Sequence, residues 1–240
     1  MTTKEKMNSL KKTARIAGFL YLILAPLTAF PLFYVSSSLV EPGDAAATAN
    51  NIMASEGLFR SGIASDSVVF LIEIVVTVLL YALLRQVNKT LSLVAAFSRL
   101  AMAVIQGINL LNHFTVLLLL GGAGYLTVFE PDQLHALASL FLNVHEYGAL
   151  IWSTFFGLHL FFLGYLVFKS GYIPRILGVL LIIASLCYLI QSFGNILLPK
   201  YEEIFAWFGY LSIIETAFPL WLLIKGVNVE QWEKRALESP

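Results

Sequence analysis

Cysteine is nearly missing from this sequence: Cys187 is the single one among 240 residues. One thiol excludes an intramolecular disulfide, a CxxC redox pair and a thiolate metal cage. Cys187 lies inside an apolar run and reads as a packing residue. Charge is scarce as well. Asp, Glu, Lys and Arg make up 12% of the chain, against roughly 25% in soluble domains. That leaves too little polar surface to face water on every side. The net charge of +0 provides no basic field, so nucleic acid is not an expected partner. The phosphate-binding loop, the dinucleotide fingerprint and the nucleophile elbow are also missing. The glycine-rich stretch Gly121 to Gly124 falls at the end of an apolar run and reads as a turn.

What is present is apolar and periodic. Hydrophobic residues are 58% of the chain, and the mean hydropathy is +0.80. Apolar runs recur between short polar clusters, each long enough to cross a hydrocarbon core of about 30 Å at 1.5 Å per residue. Six spans are expected, at about 14–38, 61–86, 92–120, 146–169, 174–197 and 204–226, in a single integral membrane domain over 1–240. The separators carry turn chemistry. Gly171 is placed to end a helix and Pro174 to begin one. The N-terminal stretch imitates a secretory signal, but a cleavage site after Ala29 would put Leu27 at the −3 position, where a small residue is wanted. An uncleaved first span is expected.

Six spans put both termini on one side, and Lys and Arg identify it. Lys4, Lys6, Lys11, Lys12, Arg15, Arg85, Lys89, Arg99, Lys169, Arg175, Lys225, Lys234 and Arg235 fall on one side, and only Arg60 and Lys200 on the other. The bias places both termini in the cytoplasm and Arg99 within reach of the cytoplasmic lipid phosphates, where its head would snorkel. Two outer interfacial helices complete the expected all-α bundle. One runs from Asp44 as N-cap to Gly57 at a C′ position. The other starts at Pro131 and Asp132, with Leu134, Leu137, Ala138, Phe141 and Val144 along one face and His135 at the membrane surface.

The ionisable and amide residues inside these spans are the functional candidates, because each costs at least about 2.5–3.5 kcal/mol at mid-membrane unless paired or wet. They are Asp66, Glu73, Gln106, Asn109, His113, His145, Glu146, His159 and Glu215. Their spacing is helical. Asp66, Glu73 and Thr77 share a face, as do Arg99, Gln106, Asn109 and His113, and also His145, Trp152 and His159. Spans two and three form a hairpin about Lys89. Antiparallel register then places Asp66 level with His113 and Glu73 level with Gln106. The same reasoning about the next two turns puts His159 and Glu215 at one depth, with Glu215 the first expected partner of His159 and Glu73 the second. Two layers result. A midplane layer holds Glu73, Gln106, His159 and Glu215. An outer layer holds Asp66, Asn109, His113, His145 and Glu146, with Gln191 and Asn195 nearby.

Such a set either glues helices together, at about 0.6 kcal/mol per hydrogen bond, or lines an outward-facing polar pocket. The joint convergence favours the pocket. Glu73, His159 and Glu215 are weak metal candidates, since imidazole and carboxylates suit zinc or iron, but no ligand-spaced motif such as HExxH is present. His113 and His145 are candidate axial ligands of a haem. No cofactor is expected. The favoured function is a non-enzymatic small-molecule-binding, lipid-binding or transport-like accessory protein, and the alternative is a metal- or haem-dependent membrane enzyme or electron carrier. The expected partners are the lipid bilayer and a small hydrophobic or lipid ligand. The sequence sets no oligomeric state.

Several stretches together resemble a known group. ARIAGFLYLI, PGDAAATANNIMASEGLFRSGI, LLGGAGYL, FFGLHLFFLGYLVFKSGYIPRILGVLL and LLIKGVNVEQWE, in that order over nearly the whole chain, are similar to the bacterial membrane proteins grouped as domain of unknown function 4386. The resemblance implies a multi-pass protein of the bacterial cytoplasmic membrane. It implies no activity, so it transfers no catalytic residue. His159 lies within its FFGLH segment.

Overall fold

The computed structural model describes residues 3–238, with side chains for 9–237. The Lys4 and Lys6 side chains counted above lie outside the described residues. The chain is helical, and no strand occurs among the described residues. Among the described residues, six stretches are long and apolar enough to cross a membrane: Ser9–Leu39, Glu56–Leu84, Lys89–Leu120, Pro131–Ser170, Arg175–Leu197 and Pro199–Ile224. The first comprises most of α1 (Thr3–Ala29), a π turn (Phe30–Val35) and α2 (Ser36–Leu39). After α3 (Ala45–Ala54) come α4 (Glu56–Leu84), α5 (Lys89–Leu120), α6 (Pro131–Ser170) and α7 (Arg175–Leu197). The sixth stretch includes α8 (Glu202–Leu211), a 3₁₀ segment (Ser212–Thr216) and α9 (Ala217–Ile224), and α10 (Val229–Glu238) follows.

Two expected boundaries are corrected. The surface helix beginning at Pro131 is not separate from the fourth span; α6 runs unbroken for 40 residues. No Gly or Pro stands between Val144 and Tyr147 to stop it, and a helix of that length extends about 60 Å, twice the hydrocarbon thickness. Asp44 does cap α3, its Oδ1 accepting from the Ala47 N–H at 2.8 Å. Gly57, however, is not a C′ residue. It lies in the first turn of α4, because the chain turns already at Ser55.

Prolines explain the irregular turns. Pro31 cannot donate to the carbonyl of Leu27, four residues earlier. The helix loosens into the π turn there, and the Ser65 hydroxyl donates to the Leu27 carbonyl at 2.8 Å. Pro219 likewise cannot bond the Glu215 carbonyl, and the 3₁₀ segment carrying Glu215 precedes it. Gly171 ends α6 with a positive φ of 78°, as expected from its place before Pro174.

Packing groups the residues into two compact units, each assembled from separated segments. One contains residues up to Ile23, Ile72–Ala103 and those from Leu150 onward; the other contains Leu24–Leu71 and Val104–Ala149. In the first unit α6 and α7 meet through small residues. A Cβ on Gly164 would lie 2.7 Å from the Gly178 carbonyl, and one on Gly157 would lie 2.9 Å from Leu189. The Ser185 hydroxyl donates to the Gly157 carbonyl at 2.7 Å. Close backbone approach through small side chains is how helices associate where lipid removes the hydrophobic drive. At the end of α4, the otherwise orphaned Leu83 carbonyl accepts from both Tyr172 (2.7 Å) and Trp232 (2.9 Å), which ties α10 down. The second unit has its own core of Val35, Leu39, Ile52, Phe59, Ile63, Leu110, Val116 and Ala138.

Large apolar side chains remain on the outside. Val78, Phe97, Ile108 and Leu111 are each more than 60% exposed. Helices whose outer faces meet lipid carry apolar side chains there.

Candidate functional site

The polar residues of the two units form two separate clusters. In the first unit the centre is Arg99 on α5, which is completely buried. Its Nε donates to Glu73 Oε2 at 2.5 Å, and its Nη1 lies 3.0 Å from His159 Nε2. His159 Nδ1 is 2.8 Å from the Ala95 carbonyl. A carbonyl only accepts, so Nδ1 carries the proton and Nε2 accepts from the guanidinium. The guanidinium also lies 4.2 Å above the Tyr21 ring, a cation–π geometry. Beside it, Glu215 accepts from Tyr188 at 3.2 Å and from Tyr21 at 3.5 Å. Trp152, Phe156 and Tyr188 pack around this group.

Arg99 is the correction here. It does not snorkel, and it is the partner that His159 and Glu73 find. The reason is chemical: one guanidinium fork serves a carboxylate and an imidazole together, and the alternative is leaving Glu73 buried without a counter-charge. The expected metal set of Glu73, His159 and Glu215 does not fit, because the cation among these side chains is already Arg99. Gln106 is partly buried, and its Oε1 has no hydrogen-bond partner among the described residues. Tyr21 and Tyr188 were not legible as site residues, since a tyrosine inside an apolar run carries no spacing signal. Arg99 did carry one, as the first member of the stripe with Gln106, Asn109 and His113.

In the second unit Asp66 (α4), His113 (α5) and His145 (α6) come together. One potential ligand atom from each lies within 4.8 Å of the others. Asp66 is buried and both histidines are partly buried. The imidazoles stack with centroids 3.8 Å apart and planes at 21°, and the Phe59 edge meets His113 at 5.2 Å. The Asn109 amide donates to the His145 carbonyl at 2.8 Å, and Asn112 braces Asn109 at 2.9 Å. Gly148 makes the approach of Asn109 feasible, because a Cβ there would collide with the Asn109 amide. The predicted level pairing of Asp66 with His113 is thus present. Glu146, one residue on from His145, is exposed on α6. Gln191 packs against Gly209 in the first unit, where the buried Asn195 Oδ1 has no partner among the described residues. Axial haem ligation by His113 and His145 does not fit: a macrocycle has to pass between two opposed imidazoles, and these are stacked face to face.

Helices of spanning length, lipid-exposed apolar faces and buried charge clusters define a multi-spanning α-helical membrane protein. A family model described as Domain of unknown function (DUF4386) matches residues 16–226, and the chain belongs to that family. It is similar to a protein of Archaeoglobus fulgidus named only as uncharacterized, 33% identical over 164 residues, covering 68% of this chain and 82% of that one. That relative is archaeal, so membership does not by itself imply a bacterial source. No solved structure matches.

Proposed function

We propose that the protein crosses a prokaryotic cytoplasmic membrane six times, with both termini in the cytoplasm, and acts as a non-enzymatic, transport-like or solute-binding protein. Its binding site is the Asp66 cluster, open toward the outer side. The Lys and Arg bias between the span ends supports the orientation. The observation that carries the binding role is the convergence of a buried carboxylate with two imidazoles from three different helices. Ionisable groups at membrane depth mark solute and ion pathways more often than packing. The chemistry of this set suits a small polar or cationic solute better than an acyl chain.

Thiol accessibility tests the reading. Cys187 is first replaced by alanine, and His113→Cys is introduced in that background. A membrane-impermeant maleimide is expected to label position 113 from outside intact cells, as it labels an Arg60→Cys control. Labelling of both only in inverted vesicles reverses the orientation. Labelling of the control but not of position 113, from either side, overturns the open site.

A further inference from the structure

We propose that Asp66, His113 and His145 bind one divalent first-row transition-metal ion. This deepens the preceding reading, since it names the ligand class of the same site. The three donors come from α4, α5 and α6 and are far apart in sequence, so no local motif explains their meeting. Two imidazole nitrogens and one carboxylate oxygen match zinc or ferrous iron and are a poor set for calcium or magnesium, which want oxygen ligands throughout.

The distances are close to what coordination needs. The donor atoms lie within 4.8 Å of one another. Ligands of a tetrahedral ion at 2.0–2.1 Å stand roughly 3.4 Å apart. A closure of up to about 1.4 Å, with the stacked rings splaying to present their nitrogens, completes the set. Three protein ligands leave a coordination position open for water or a solute, as in catalytic and transport-type sites rather than closed structural ones.

Helix glue does not account for the arrangement. Glue acts through hydrogen bonds, and among the described residues the Asp66 carboxylate and the two imidazoles form none with the protein. A buried carboxylate without a donor is costly, and a cation relieves that cost. The shell around the site also resembles metal support. Asn109 holds the His145 backbone, Asn112 holds Asn109, and Phe59 sets the His113 ring. Such outer contacts fix ligand orientation. By contrast, in the first unit Glu73 and His159 already hold the Arg99 guanidinium, and Glu215 accepts from Tyr21 and Tyr188.

The test uses the full chain purified in lipid nanodiscs and stripped with chelator. Zinc is titrated by calorimetry and cobalt by visible absorption. The expected result is one ion per chain, ligand-field bands with cobalt, and displacement of cobalt by zinc. Asp66→Asn, His113→Gln and His145→Gln should each weaken binding by roughly tenfold or more, and Asn109→Ala by about 10–100-fold through lost orientation. His135→Gln should bind as wild type does. Absence of stoichiometric zinc and cobalt binding by the wild-type chain overturns the proposal whatever the variants do. Wild-type binding that survives in all three folded ligand variants overturns it as well. If position 113 is labelled from outside but no metal binds, the metal assignment fails and the outward site stands. If metal binds but position 113 is never labelled, the outward site fails and the metal centre stands.

Discussion

The Arg99 guanidinium lies 2.5 Å from the Glu73 carboxylate, with the Arg99 side chain fully buried and that of Glu73 only 5% exposed. An ion pair so enclosed is neither screened by salt nor relieved by water. Each partner therefore depends on the other, and His159 and Tyr21 both meet the Arg99 guanidinium.

Removing Arg99 alone should be severe. Arg99→Met leaves Glu73 buried and unpaired, a change that costs about 3–5 kcal/mol. Arg99→Met with Glu73→Leu should be far milder, because no lone charge remains. Thermal unfolding in detergent, arranged as a double-mutant cycle, measures the coupling. Equal destabilisation by the single and double variants would contradict the pairing.

His159 bridges two groups, so its replacement should depend on shape. His159→Phe keeps a flat ring, somewhat larger than the imidazole, but removes the contacts to Arg99 Nη1 and the Ala95 carbonyl. The expected loss is about 1–3 kcal/mol, the cost of leaving a buried partner unsatisfied. Midpoint shifts against wild type provide the readout.

Glycine substitutions should separate close approach from open helix. Gly164→Ala or Gly178→Ala drives a Cβ into the opposite backbone, 2.7 and 2.6 Å away respectively. Each should destabilise by about 1–3 kcal/mol. Gly57→Ala meets nothing within 4 Å and sits in a helix. It should be neutral or stabilising by up to about 1 kcal/mol. The same unfolding assay ranks the three.

Tyr172 and Trp232 share the Leu83 carbonyl, so losing either donor should loosen α10. Tyr172→Phe and Trp232→Phe should each cost about 1 kcal/mol and speed tryptic cleavage at Lys234 and Arg235. Tyr172 lies between α6 and α7, and burial pushes its phenol above the ordinary range. A raised folded value means that its contribution is complete below the unfolded value, about 10, and is lost as pH rises toward the folded value. Wild-type α10 should therefore become more protease-sensitive above about pH 10. Tyr172→Phe should lose that alkaline increment.

Much of the polar architecture was legible along the chain, and the limits follow from geometry. Hairpin register put Asp66 opposite His113, because depth along a helix depends only on residue number. It could not predict that Glu73 would take Arg99 instead of Gln106. That choice depends on how α5 turns about its axis and on the reach of a long side chain. His145 joins Asp66 and His113 while His159, fourteen residues further along α6, joins Arg99, so one predicted stripe supplies two clusters. The Pro131 helix continues into the fourth span, which no pattern announces, because a polar face looks the same whether a helix stops or continues.

Composition and spacing alone determined that this chain is an all-α membrane protein, with about where its apolar helices run and which polar residues share a face. These follow from the length of hydrocarbon to be crossed and the period of the helix. Tertiary structure decided the partners. Whether Arg99 meets lipid or Glu73, and whether two histidines from different helices stack beside one aspartate, depends on helix rotation and on close contacts such as Gly148 beneath Asn109. No one-dimensional pattern records those rotations.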